Sequence, residues 1–109
     1  MQDDRCTWTT RRNGDGAFVI SLRGVVDLHS SSALGDELLD LVAARAGDVA
    51  LDLSEVSLID STALALLLRA SRLLRSAGGR MRVVGASPHV RRLLELTALD
   101  REFSLAAAV

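Results

Sequence analysis

Apolar and polar positions alternate loosely around Trp8 over residues 5–12. Over residues 17–24 Phe18, Ile20 and Leu22 fall on one side, with Val19 and Ser21 on the other. A repeat of two is that of a strand with one face buried. Asn13-Gly14-Asp15-Gly16 separates the two runs; Gly and Asn tolerate the positive φ of tight turns, so an antiparallel hairpin is predicted. From Ser30 the period lengthens: Leu34, Leu38, Leu41 and Val42 follow the spacing of an amphipathic helix. Ser30 to Ser32 are its candidate caps, and it is expected to end near Gly47. Residues 48–53 alternate again, with Val49, Leu51 and Leu53 against Ala50 and Asp52. A short apolar connection then leads to a second helix over about 61–77, stopped by Gly78-Gly79. Residues 80–85 predict a strand. Ser87-Pro88 predicts an N-cap with proline at the first helical position, opening a third helix with Val90, Leu93 and Leu94 on one side. Residues 101–105 are expected to add a last short strand. The order β-β-α-β-α-β-α-(β) implies an α/β fold with a small mixed sheet, because helical crossovers join parallel neighbours.

Composition narrows what such a fold can do. With 109 residues the chain is expected to form one domain, 1–109, since two cores would each be too small. Apolar residues are 49% and charged residues 25% of the chain, which argues against disorder. All thirteen basic residues are arginine, against fourteen acids. A formal charge of -1 offers no basic excess for a phosphate backbone, so nucleic acid is not the expected partner. The absence of lysine excludes a P-loop, a Schiff-base enzyme and a phosphorelay receiver. Cys6, His29 and His89 lack zinc-site spacing, so no metal and no cofactor are expected. A single cysteine fits a reducing, cytoplasmic setting. The acidic N-terminus has no apolar signal region, and the apolar run at 63–68 is far short of the roughly 20 residues that span a bilayer. Export and membrane insertion are therefore not expected.

The densest chemistry lies where the strand beginning at residue 48 leads into the second helix. Asp60-Ser61-Thr62 gathers three short oxygen-bearing side chains at one helix start. Such residues cap, accepting from backbone N–H groups that have no helical partner. The same N–H groups and the positive dipole end also make an anion site, suited to a phosphate carried on Ser61. Local chemistry leaves both readings open.

Residues 53–64, Leu-Ser-Glu-Val-Ser-Leu-Ile-Asp-Ser-Thr-Ala-Leu, resemble the Asp-Ser-(Ser/Thr)-Gly-Leu signature of STAS domains in bacterial anti-sigma factor antagonists. Gly24-Val25-Val26-Asp27 resembles the Gly-Glu-apolar-Asp segment of that family, and Gly85-Ala86-Ser87-Pro88 its turn before the third helix. The resemblance implies a single STAS-like domain covering nearly the whole chain. It implies that the partner is an anti-sigma factor serine kinase, that ATP is bound by that partner, and that Ser61 is the phosphorylated residue. Asp27 is expected beside it, and Asp27, Asp60, Ser61, Thr62 and Ala63 to meet the partner. Ala63 stands where the family has Gly, adding a methyl group on the expected approach of a kinase loop or phosphate. Val25 stands where the family has Glu, removing an acid from the rim.

Three other assignments stand beside this one, the first still resting on the resemblance and the other two on the residues themselves. A STAS scaffold that is never phosphorylated would use Ser61 only as a cap residue. A hydrolase would need Ser61 joined to His29 or His89 and to Asp27, without the Gly-x-Ser-x-Gly elbow. Arg69, Arg72 and Arg75 are expected on a solvated edge of the second helix.

Overall fold

The computed structural model describes residues 5–14, 16–44, 47–99 and 101–103. Strands β1 (Thr7–Arg12) and β2 (Phe18–Val26) form the antiparallel hairpin. Helix α1 (Leu28–Ala43), strand β3 (Val49–Ile59), helix α2 (Ser61–Ser76), strand β4 (Met81–Ala86) and helix α3 (Pro88–Leu96) follow. The sheet runs β1-β2-β3-β4, with β2, β3 and β4 parallel. This is the mixed α/β order predicted from the hydrophobic pattern.

Both crossovers advance the sheet in the same direction. Right-handed connections therefore place α1 and α2 on the same face, where they pack against each other. The core lies between: Ile20, Leu22 and Val26 from β2 and Leu51, Leu53, Val56 and Ile59 from β3 meet Leu34 and Leu38 of α1 and Leu64, Leu67 and Leu74 of α2. Cys6 and Trp8 of the N-terminal segment pack against this cluster from its rim. At the end of α2 the Gly78 and Gly79 amides donate to the carbonyls of Arg75 and Leu74, closing the helix as expected. A Cβ on Gly79 would lie 2.1 Å from the Gly47 carbonyl oxygen, so only glycine lets the two loops pass this closely.

Several boundaries differ from the sequence reading, and β2 itself runs to Val26, two residues past the expected end. Helix α1 begins at Leu28, capped by Asp27 rather than by Ser30 to Ser32, and ends at Ala43 rather than near Gly47. Strand β3 continues to Ile59, so the expected connection at 54–59 is strand, held by pairing with β2 through Val26↔Ile59. Strand β1 begins at Thr7, preceded by an isolated bridge from Arg5 to Val25. Residues 101–103 form a turn instead of the expected strand. There the Phe103 carbonyl accepts a 3.0 Å hydrogen bond from the Val83 amide, with its ring buried, which ties the turn to the β4 edge. Positions 104 and 105 of that expected strand, and Asp15 of the hairpin turn, lie outside the described residues.

Candidate functional site

Strands β2 and β3 end level with one another, at Val26 and Ile59. Each is followed by an aspartate and then a helix, so two βα corners stand side by side. The Asp60 amide donates to the Val26 carbonyl at 3.1 Å, continuing the ladder one position into the second corner.

In the first corner Asp27 Oδ1 accepts from the amides of His29 at 3.0 Å and Ser30 at 3.3 Å. Ser30 Oγ accepts in return from the Asp27 amide at 2.9 Å. This is a reciprocal capping box, with serine in the place more often held by Glu or Gln. The sequence reading missed Ser30's part in it, although the three-residue spacing from Asp27 to Ser30 was available as a signal.

The second corner divides its carboxylate. Asp60 Oδ1 accepts from the Ala63 amide at 2.8 Å, capping α2. Its Oδ2 accepts from the Leu28 amide at 3.1 Å, at the first position of α1. One side chain thus ties two helix starts together, the first position of α1 to the first turn of α2.

Ser61 and Thr62 occupy the first two positions of α2 and are exposed. The Ser61 hydroxyl is hydrogen-bonded to no described residue, including His29 and His89. The Ser-His-Asp arrangement of the hydrolase reading is therefore not assembled. With Asp60 already serving as cap, the Ser61 hydroxyl is surplus to the cap. The backbone N–H groups of Ser61 and Thr62 precede the first intrahelical donors, and neither donates to a described residue.

Ala63 is a correction. It was expected at the partner surface, yet its residue is 0% exposed and belongs to the core cluster. Its methyl group therefore points into the interior. Two apolar side chains that the sequence reading did not select frame the corner instead: Leu28, 64% exposed, and Leu58, 46% exposed. An exposed leucine within an apolar run carries no sequence signal of its own. Val25, opposite Leu58 in the ladder, is half-buried.

Beside Asp27, His29 and Ser30 a mostly apolar cavity of about 610 Å3 is lined also by Cys6 and Trp8. Burial pushes the Cys6 thiol above its ordinary range; the Ser30 hydroxyl pulls it down and the Asp27 carboxylate pushes it up again. That thiol is a weak nucleophile. Among the described residues no group of three His, Cys, Asp or Glu side chains is placed to hold a metal ion, and no helix is long and apolar enough to cross a membrane.

Known proteins resemble this chain in sequence and fold. The family profile described as "Mlab, STAS domain" matches residues 9–107. The anti-sigma-B factor antagonist of Bacillus subtilis (strain 168) is 26% identical over 96 residues, 88% of this chain and 87% of that protein. The crystal structure of an anti-sigma factor antagonist from Mycobacterium paratuberculosis is similar with a TM-score of 0.84 and 30% identity, over 99% of this chain and 91% of the other. The anti-sigma factor antagonist SpoIIAA shares the fold in its unphosphorylated form, with a TM-score of 0.80 at 21% identity over 94% of this chain and 89% of that one. The phosphorylated form of the Bacillus protein has a TM-score of 0.75 at 20% identity, over 94% and 92%.

Proposed function

This chain belongs to the STAS-domain family, and from that membership we propose that it is an anti-sigma factor antagonist controlled by phosphorylation of Ser61. Its partner is an anti-sigma factor that is itself a serine kinase. With Ser61 unmodified the chain binds that partner through the corner formed by Asp27, Asp60, Ser61 and Thr62, and the sigma factor is freed for transcription. The partner binds ATP and supplies the catalytic groups. The γ-phosphoryl group passes to Ser61 Oγ, ADP leaves, and the hydroxyl proton goes to a base of the partner.

The observation that carries this reading is the exposed Ser61 hydroxyl at the first position of a helix already capped by its neighbour. A phosphate there adds about -1.5 to -2 charges at neutral pH beside the Asp60 carboxylate. A surface fitted to a hydroxyl and two carboxylates then meets a bulky dianion. The open N–H groups of the first helical turn and the helix dipole stabilise that phosphate in place. Ala63 anchors the same turn in the core, so modification alters the surface without rearranging the interior. The role borne in the names of the similar proteins agrees with this reading.

Incubation with the cognate kinase and ATP, followed by peptide mass spectrometry, is expected to find phosphate on Ser61. Ser61→Ala is expected to bind without being modified, and Ser61→Asp to bind at least tenfold more weakly. Modification confined to other residues, or undiminished binding by Ser61→Asp, overturns the switch.

A further inference from the structure

The outward face of α2 carries a second surface, one turn beyond Ser61. Ala65, Leu68, Arg69, Arg72, Leu73 and Ser76 line a shallow groove of about 440 Å3. Their spacing places them along one side of the helix, over roughly 16 Å at 1.5 Å per residue. Leu73 is 37% exposed and Leu68 half-buried, giving the groove an apolar patch about 7.5 Å long at 1.5 Å per residue.

Its charge is one-sided. Helix α2 contains Arg69, Arg72 and Arg75 and no carboxylate. Arg72 and Arg75 both lean on the single carboxylate of Glu102, at 3.6 and 3.7 Å. Arg69 is exposed and pairs with no described residue. Among the described residues three guanidinium groups here stand against the one carboxylate of Glu102, a positive face on a chain whose formal charge is -1. We propose that the groove docks an acidic amphipathic helix of a partner protein, its apolar side chains on Leu68 and Leu73 and its carboxylates on Arg69 and Arg72. A helix presenting two apolar anchors at i and i+4, with carboxylates on the flanking positions, matches the length of this patch. A second copy of this chain would set arginine against arginine, and a nucleic acid backbone would leave the leucines unmatched. The docking surface does not depend on the modification of Ser61, although a partner engaged at that corner could extend along it.

The test uses the full chain and two fluorescent synthetic peptides with one leucine pattern, one flanked by Glu and the other by Lys. Fluorescence anisotropy is expected to show binding of the Glu peptide, weakening with salt, and none of the Lys peptide. Arg69→Glu, which leaves Glu102 and its partners untouched, is expected to weaken the Glu peptide roughly fivefold to tenfold. Ser61→Ala is expected to leave that affinity unchanged, which separates this result from the phosphorylation switch. Amide shifts in the labelled protein are expected at Ala65, Leu68, Leu73 and Ser76, and thermal melts confirm that each variant is folded. Equal binding of the two peptides, binding of neither, an unaltered affinity in Arg69→Glu, or a concentration-dependent dimer abolished by Leu73→Ser overturns the proposal.

Discussion

The corners after β2 and β3 begin alike, since each joins a parallel strand to a helix through an aspartate cap, and they differ in what the aspartate leaves over. Asp27 is engaged with its own helix through His29 and Ser30, and Ser30 returns the bond. Its aspartate side chain is closed upon its own helix, with an exposed leucine at the first helical position. Asp60 gives one oxygen to its own helix and the other to its neighbour. It leaves an exposed hydroxyl at the corresponding position, Ser61. Capping needs one acceptor, so a serine placed after an adequate cap is available for other chemistry. The difference between structural and functional serines here lies in their bonds, not in residue type: Ser30 is consumed by the box, and Ser61 is spare.

Breaking the platform under both corners gives the largest expected effect. Ile59→Ala removes a side chain that is 4% exposed beneath the strand ends, and is expected to cost about 3 kcal/mol in urea unfolding. Next comes Asp60→Ala, which removes a cap worth about 1 kcal/mol and a bond to the neighbouring helix worth about the same. Amide hydrogen exchange is expected to quicken at both Ala63 and Leu28. Asp27→Ala provides the contrast: about 1 kcal/mol is lost and exchange quickens at His29 and Ser30, with Ala63 unaffected. If Leu28 exchanges no faster in Asp60→Ala, the two corners are independent. Ala63→Gly is expected to cost about 1 kcal/mol through helix propensity, with a little more from the missing buried methyl. Its rate of Ser61 phosphorylation is expected to match that of the unaltered chain, because the methyl faces inward. The smallest effect belongs to Ser61→Ala, within about 0.5 kcal/mol by thermal unfolding, as befits a hydroxyl that the fold does not use.

The second corner was legible before the first. Asp60-Ser61-Thr62 stands directly before an apolar run of helical period, and Asp60 is the cap that such a string predicts. At the first corner, Ser30 to Ser32 drew the cap assignment three residues too late. The sequence offers both Asp27 and the serines as acceptors, and the choice falls to strand length. Pairing carries β2 to Val26, which leaves Asp27 as the first residue able to turn. The extent of β3 was hidden for a similar reason. Its buried positions after Leu53 are Val56 and Ile59, and register shifts within the β2 and β4 ladders break the strict alternation by which strands are recognised. The α2 arginines were legible as a polar edge, while the groove beside them depends on how far Leu68 and Leu73 stay uncovered.

Local chemistry along the chain was enough to set the alternation of strands and helices, the hairpin turn, the stop at Gly78-Gly79, the cap at Ser87, and the gathering of hydroxyls after Asp60. These depend on backbone preferences and on periods of two or 3.6, which act over a few residues. The tertiary structure decided that Asp60 would reach across to Leu28, that Ala63 would face the interior, and that the Ser61 hydroxyl would bond to no described residue. Each of those outcomes depends on β2 and β3 ending level with one another. Register between strands separated by a helix is a long-range quantity, set when the whole core closes.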